Sequence, residues 1–139
     1  MVHSTNAVFA NGLSTEDKEV RSTGLKAALS ILEKWSLTNN QMMQILGLKK
    51  SQFFKAKASP GSLSISNDLL ERISIILNIH GVLRTVFTNP ELVYGFMTRK
   101  NNNQFFNGRS PIEIIEGGNF GSLYDVYHRI NALRGGQWQ

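Results

Sequence analysis

The sequence predicts an all-α protein, and three observations carry that prediction. Apolar residues recur at helical spacing in several separate segments, as in Leu25, Ala28, Leu29, Leu32 and Trp35, which stand at i, i+3, i+4, i+7 and i+10. Helix start and stop signals fall between those segments: Thr38 with Gln41, Asn89 before Pro90, Ser110 before Pro111, and glycines at 47, 117, 118, 135 and 136. No alternation of apolar and polar residues survives for more than a few positions, so no strand is expected.

Taken in order, residues 1–21 are polar with no clear period and read as a flexible N-terminal arm. The Leu25 stripe is the first amphipathic helix. Thr38-x-x-Gln41 is a capping box, which satisfies two orphan N–H donors and opens a second helix through Met42, Met43, Ile45 and Leu46. Gly47 ends it, because a residue without Cβ takes the left-handed C-cap conformation most cheaply. A third helix over residues 50–57 is anchored by Phe53, and Ser59-Pro60-Gly61-Ser62 breaks the chain. Residues 68–87 form a longer helix. Leu69, Ile73, Ile76 and Leu83 make one stripe, while Leu70, Ile75 and Leu77 widen it past a single face, which predicts a central helix packed on neighbours or on a second subunit. Asn89-Pro90 opens a helix with Leu92, Val93, Phe96 and Met97, ended by Asn101-Asn102-Asn103. After the Asn107-Gly108 turn, Ser110-Pro111-Ile112-Glu113 caps a short helix closed by Gly117-Gly118. Leu123, Val126, Tyr127, Ile130 and Leu133 make the last helix, stopped by Gly135-Gly136.

Composition narrows the function. At 139 residues the chain suits one domain or two small ones sharing an interface, and folding should bury roughly 68% of its surface. Apolar residues make up 41% and charged ones 18%, with 8 Phe and 2 Trp, which argues against disorder. The absence of cysteine excludes disulfide scaffolds, thiolate metal sites and cysteine nucleophiles. No apolar stretch reaches the length of a bilayer span. Residues 1–11 lack the basic start and apolar run of a secretory leader, so a cytoplasmic location is expected. Histidines 3, 80 and 128 lack ligand spacing, no acids are paired by a motif, and the Gly-Gly pairs follow no strand. No cofactor, metal or catalytic activity is expected; His80, within the apolar helix, reads as a hydrogen-bonded core or interface group.

The net charge is +5, and its placement is more informative than its size. Lysines 34, 49, 50, 55 and 57 fall in a stretch, residues 34–67, that holds no acid. Such a run is either a solvated face or a contact for an anionic partner. The same residues carry a helix-turn-helix pattern. Counting from Thr38, apolar residues stand at +4, +7, +8, +10 and +15 (Met42, Ile45, Leu46, Leu48, Phe53), with Gly47 at the turn. The second helix of that motif offers Lys50, Ser51, Gln52 and Lys55, with Lys49 just ahead of it. Lysines reach phosphates or guanine edges, and a Gln carboxamide can pair with adenine.

With these motifs in place, the chain resembles the Xre/MbcA/ParS family of antitoxins, partners of RES-domain toxins. The Cro-like helix-turn-helix covers about residues 38–57. The toxin-binding part is similar in Phe96-Met97, in Asn101 to Asn103, and in the run Phe106-Asn107-Gly108-Arg109-Ser110-Pro111-Ile112-Glu113-Ile114-Ile115. A Gly at 117 or 118, the Leu123, Val126, Ile130 and Leu133 helix, and Gly136-Gln137-Trp138 complete it. Three positions depart from the family pattern: Lys49 stands where Ser usually caps the recognition helix, Met43 where Ala is common, and Phe96 where Trp is usual.

The resemblance implies an antitoxin that neutralises an NAD-consuming RES-domain toxin and, as a repressor, binds operator DNA at its own operon; the breadth of the 68–87 helix adds the expectation of a homodimer or larger. It implies a helix-turn-helix region over residues 22–87 and a toxin-binding domain over residues 88–139. Trp138, with Arg134 nearby, suits a toxin pocket built for a nicotinamide ring and phosphates; the alternative is that Trp138 packs on its own helix. A free-standing transcription regulator whose C-terminal half only dimerises is the competing reading.

Overall fold

The structure is a computed structural model and describes residues 14–136. Among them every regular element is helical: α1 Thr15–Lys34, α2 Asn39–Leu46, α3 Lys50–Ala58, α4 Asn67–Val86, α5 Pro90–Gly95, α6 Pro111–Ile115 and α7 Phe120–Asn131. Single 3₁₀ turns occupy Pro60–Ser62, Phe96–Thr98 and Ala132–Gly135.

The expected caps are present. Thr38 Oγ1 accepts the Gln41 N–H at 3.1 Å while Gln41 Oε1 accepts the Thr38 N–H at 2.8 Å. Ser110 and Glu113 form the second reciprocal box, with Pro111 at the first helical position. Gly47 ends α2 at φ 68° and ψ 31°.

One expectation is corrected. Residues 15–21 belong to α1 rather than to a loose arm. Ser14 Oγ caps the helix by accepting the Asp17 N–H, and Glu16 and Asp17 complement the positive end of the helix dipole. This first part of α1 is mostly exposed, so it shows no apolar stripe in sequence. Arg21 ties it down, donating to the Ile65 carbonyl at 2.9 Å and to Asn67 Oδ1 at 3.0 Å. Residues 1–13 lie outside the described residues.

The wide apolar girth of α4 was expected to pack on neighbours or on a second subunit. It is accounted for within the chain. α1 packs along α4 on one side and α7 on another, with α2, α5 and the last 3₁₀ turn filling the remainder. Ile73, Ile76, Ile79 and Leu83 are each at most 1% exposed. Trp35, Phe53 and Phe106 are fully buried in the same contiguous core, so α4 is the shared spine of both halves.

Candidate functional site

The helix-turn-helix is built by α2, Gly47 and α3. Phe53 and Ala56 of α3 are fully buried against the core, and this fixes which face α3 turns outward. Lys49, Lys50, Ser51, Gln52 and Lys55, the five residues expected to contact DNA, are all exposed. Lys49, Lys50 and Lys55 make no ion pair among the described residues. The other two lysines of the acid-free run have partners within the chain. Lys57 pairs with Glu33 at 3.4 Å, and Lys34 lies over the Tyr94 ring at 5.4 Å. The sequence run thus overstates the cationic patch, because α1 brings an acid to it.

Gln52 also takes part in the start of α3. Its Oε1 accepts the Lys49 N–H at 3.0 Å, supplying one half of a capping box. Lys49 has no side-chain acceptor, so the other half is missing and α3 starts without a side-chain cap on its own amides. The NH₂ group and the second lone pair of that oxygen remain for other partners, so the tether orients the carboxamide without using it up.

A joint that sequence reasoning missed connects this motif to the C-terminal half. Arg72, on α4, has a side chain only 11% exposed. Its Nη1 donates to the carbonyls of Ile45 (3.1 Å), in the last turn of α2, and of Gly118 (2.9 Å), in the α6–α7 turn. Its Nε donates to Asp68, and its guanidinium lies 5.9 Å from the Phe120 ring centre. Gln41 Nε2 donates to Glu116 Oε1 at 3.1 Å across the same seam. Gly118 sits at φ 82°, and a Cβ there would lie 2.6 Å from the Gln44 carbonyl oxygen. The only hint in sequence is a cation set within a broadly apolar helix.

In the C-terminal half, residues 101–110 fold on themselves. Asn101 donates to the Arg109 carbonyl, Gly108 donates back to Asn101, and Asn103 Oδ1 accepts the Phe105 N–H. Arg109 donates to the carbonyls of Phe106 and Phe105. The loop delivers Ser110 and Pro111, both buried, to the start of α6. Hydrogen bonds from the Ser110 backbone and side chain hold the Glu113 carboxyl below its ordinary pKa.

Comparison with known proteins agrees with this division. An antitoxin Xre-like helix-turn-helix domain matches residues 15–78, and an antitoxin Xre/MbcA/ParS C-terminal toxin-binding domain matches residues 82–136. The chain belongs to the Xre/MbcA/ParS-like antitoxin family. The uncharacterized protein y4oB of Sinorhizobium fredii (strain NBRC 101917 / NGR234) is 34% identical over 113 residues, which are 81% of this chain and 84% of that one.

This antitoxin therefore joins a DNA-binding helix-turn-helix to a toxin-binding domain. The two matches meet inside α4, between residues 78 and 82, rather than in a linker. Arg134 is exposed on the last 3₁₀ turn of the toxin-binding domain, and Trp138 lies outside the described residues. Phe96 is half-buried against Phe87, with ring centres 6.0 Å apart, and Met43 packs partly buried on the core. His80, at the junction of the two domains, stacks on Tyr94 at 5.4 Å. Its Nδ1 has no hydrogen-bond partner among the described residues, contrary to expectation. Burial first, then the charges of Arg84 and Lys34, lower its pKa. No helix among the described residues is long and apolar enough to cross a membrane, and no cluster of metal-ligating side chains is found among them.

Proposed function

We propose that this antitoxin neutralises a RES-type, NAD-degrading toxin by direct binding and represses its own operon through α2 and α3. The observation that carries the reading is one chain that joins a toxin-binding domain to three exposed lysines, on and just ahead of α3, that make no ion pair among the described residues. In this reading Lys49, Lys50 and Lys55 hold phosphates, Ser51 and Gln52 face base edges, and two copies occupy a two-fold operator. The protein works in the cytoplasm, where its toxin and operon are. The toxin carries the catalysis; the antitoxin binds. Arg134 and Trp138 supply a cation and an aromatic anchor for the toxin's nicotinamide and phosphate pocket.

The test is co-expression with the neighbouring reading frame while cellular NAD is followed. The intact antitoxin should hold NAD at its resting level, and a variant lacking residues 135–139 should let NAD fall while still folding and binding operator DNA. Full protection by the truncated chain would place the block on the folded surface of the toxin-binding domain instead. A neighbouring frame whose product leaves NAD unchanged without the antitoxin would overturn the toxin class.

A further inference from the structure

The outward face of α3 carries a side chain that the lysine pattern concealed. At about 100° per residue, the face opposite Phe53 and Ala56 holds Ser51, Phe54, Lys55 and Ala58. All four are exposed. Phe54 is 43% exposed, and no other large apolar residue on α3 is. Its ring is held by an edge contact with buried Phe53, centres 5.2 Å apart at 71°. An aromatic ring fixed by its neighbour loses little entropy when it meets a partner. Lys50 and Lys55 flank it, neither paired with an acid among the described residues. This setting of unpaired cations suits a polyanion that carries an apolar spot.

We propose that Phe54 reads the 5-methyl group of a thymine in the major groove and so contributes to sequence preference. The proposal rests on the reading that α3 docks in that groove. The thymine methyl is the one apolar group the major groove displays, and apolar side chains recognise it by contact. Gln52 lies toward the side of α3, two positions before Phe54, with its oxygen tethered to the Lys49 N–H. Phe54 needs no rearrangement, because its ring already stands clear of the core.

The test uses the full chain, with and without its toxin, and DNA from the promoter region ahead of its own reading frame. Thymines are replaced singly by deoxyuridine, which removes the methyl and leaves the pairing edge unchanged. The unaltered protein should lose about fourfold in affinity at one thymine per half-site, the worth of one buried methyl-sized group. Phe54→Ala should bind the thymine and uracil duplexes equally, with its salt dependence unchanged because no phosphate contact is lost. Because the uracil scan is run on the unaltered chain, it holds even if the variant folds poorly. Lys55→Ala, by contrast, should lower the slope of log affinity against log salt by about one.

Insensitivity of the unaltered protein to every uracil would overturn the role of Phe54, whereas the Lys55 effect would keep α3 in the groove. Uracil sensitivity that persists in Phe54→Ala would assign the methyl to another side chain and overturn it too. If Lys55→Ala leaves the salt slope untouched, or promoter DNA is not bound, the docking of α3 itself fails and the role of Phe54 with it.

Discussion

Arg72→Met should loosen the protein at the seam between its two halves, and the size of the loss can be worked from the contacts. The guanidinium donates to two carbonyls, Ile45 at 3.1 Å and Gly118 at 2.9 Å, in a site where its side chain is only 11% exposed. Hydrogen bonds to a charged group are each worth about 1.5–3 kcal/mol. The pair with Asp68 contributes little, since that carboxylate's side chain is 68% exposed. Methionine replaces the packing of the arginine stem, and removing a desolvated cation returns part of the loss. The net expectation is about 2–4 kcal/mol, or a fall of roughly 8–15 °C in Tm for a chain of this size. Circular dichroism melting reads the first quantity. Amide hydrogen exchange reads the second consequence: the last turn of α2 and the α6–α7 turn should lose protection together, because one side chain holds both. Arg72→Lys should recover less than half, since an ammonium lacks the planar fork that reaches two acceptors and an acid at once. A melting temperature within about 3 °C of the parent, or loss of protection on only one side of the seam, would refute the joint.

The same seam makes Gly118→Ala costly. Its positive φ alone is worth about 1 kcal/mol, and the 2.6 Å approach of the new Cβ to the Gln44 carbonyl adds to it, whereas Gly117→Ala meets nothing within 4 Å and should be near neutral in urea unfolding. Gln52→Glu keeps the oxygen that caps Lys49 and places a negative charge at a helix N-terminus, so stability should hold or rise while operator affinity falls in a mobility-shift assay. Gln52→Ala should lower both. His80 has a folded pKa below its unfolded value, so the unfolded chain takes up the proton first. Stability should decline as pH drops below about 6.5, and His80→Phe should flatten that limb of the Tm–pH curve; an NMR titration placing His80 above 6.5 would contradict it. Glu113 has the opposite chemistry and a lower window. Its stabilising effect is present above its unfolded pKa and disappears as pH falls through the depressed folded one, so Glu113→Gln should blunt acid unfolding below about pH 4.

Helix identity and boundaries were largely legible in the sequence because they are set by local chemistry. The Thr38–Gln41 and Ser110–Glu113 boxes, the Gly47 cap and the Pro90 and Pro111 starts each work within about four residues, and all are found as read. The buried stripes of α1 and α7 follow from helical spacing alone. The start of α1 was missed because residues 15–21 carry few apolar groups; their helicity rests on the Ser14 cap and on Arg21 reaching residues 65 and 67. The exposed set on α3 was readable, but its chemistry was not. Lys57 is answered by Glu33 from another helix, and Gln52 is tethered to the Lys49 amide. Phe53 is buried as the helix-turn-helix pattern required, which leaves Phe54 facing out. Whether the breadth of α4 needs a second subunit was likewise undecidable from one strand of text. Sequence fixes how many faces of a helix are apolar, and only the tertiary arrangement of α1 and α7 decides that this chain covers them itself. Arg72 shows the same division most plainly. Its worth lies in two carbonyls 27 and 46 residues away in sequence, and such partners exist only once α4 has brought the end of α2 and the Gly118 turn to the same guanidinium.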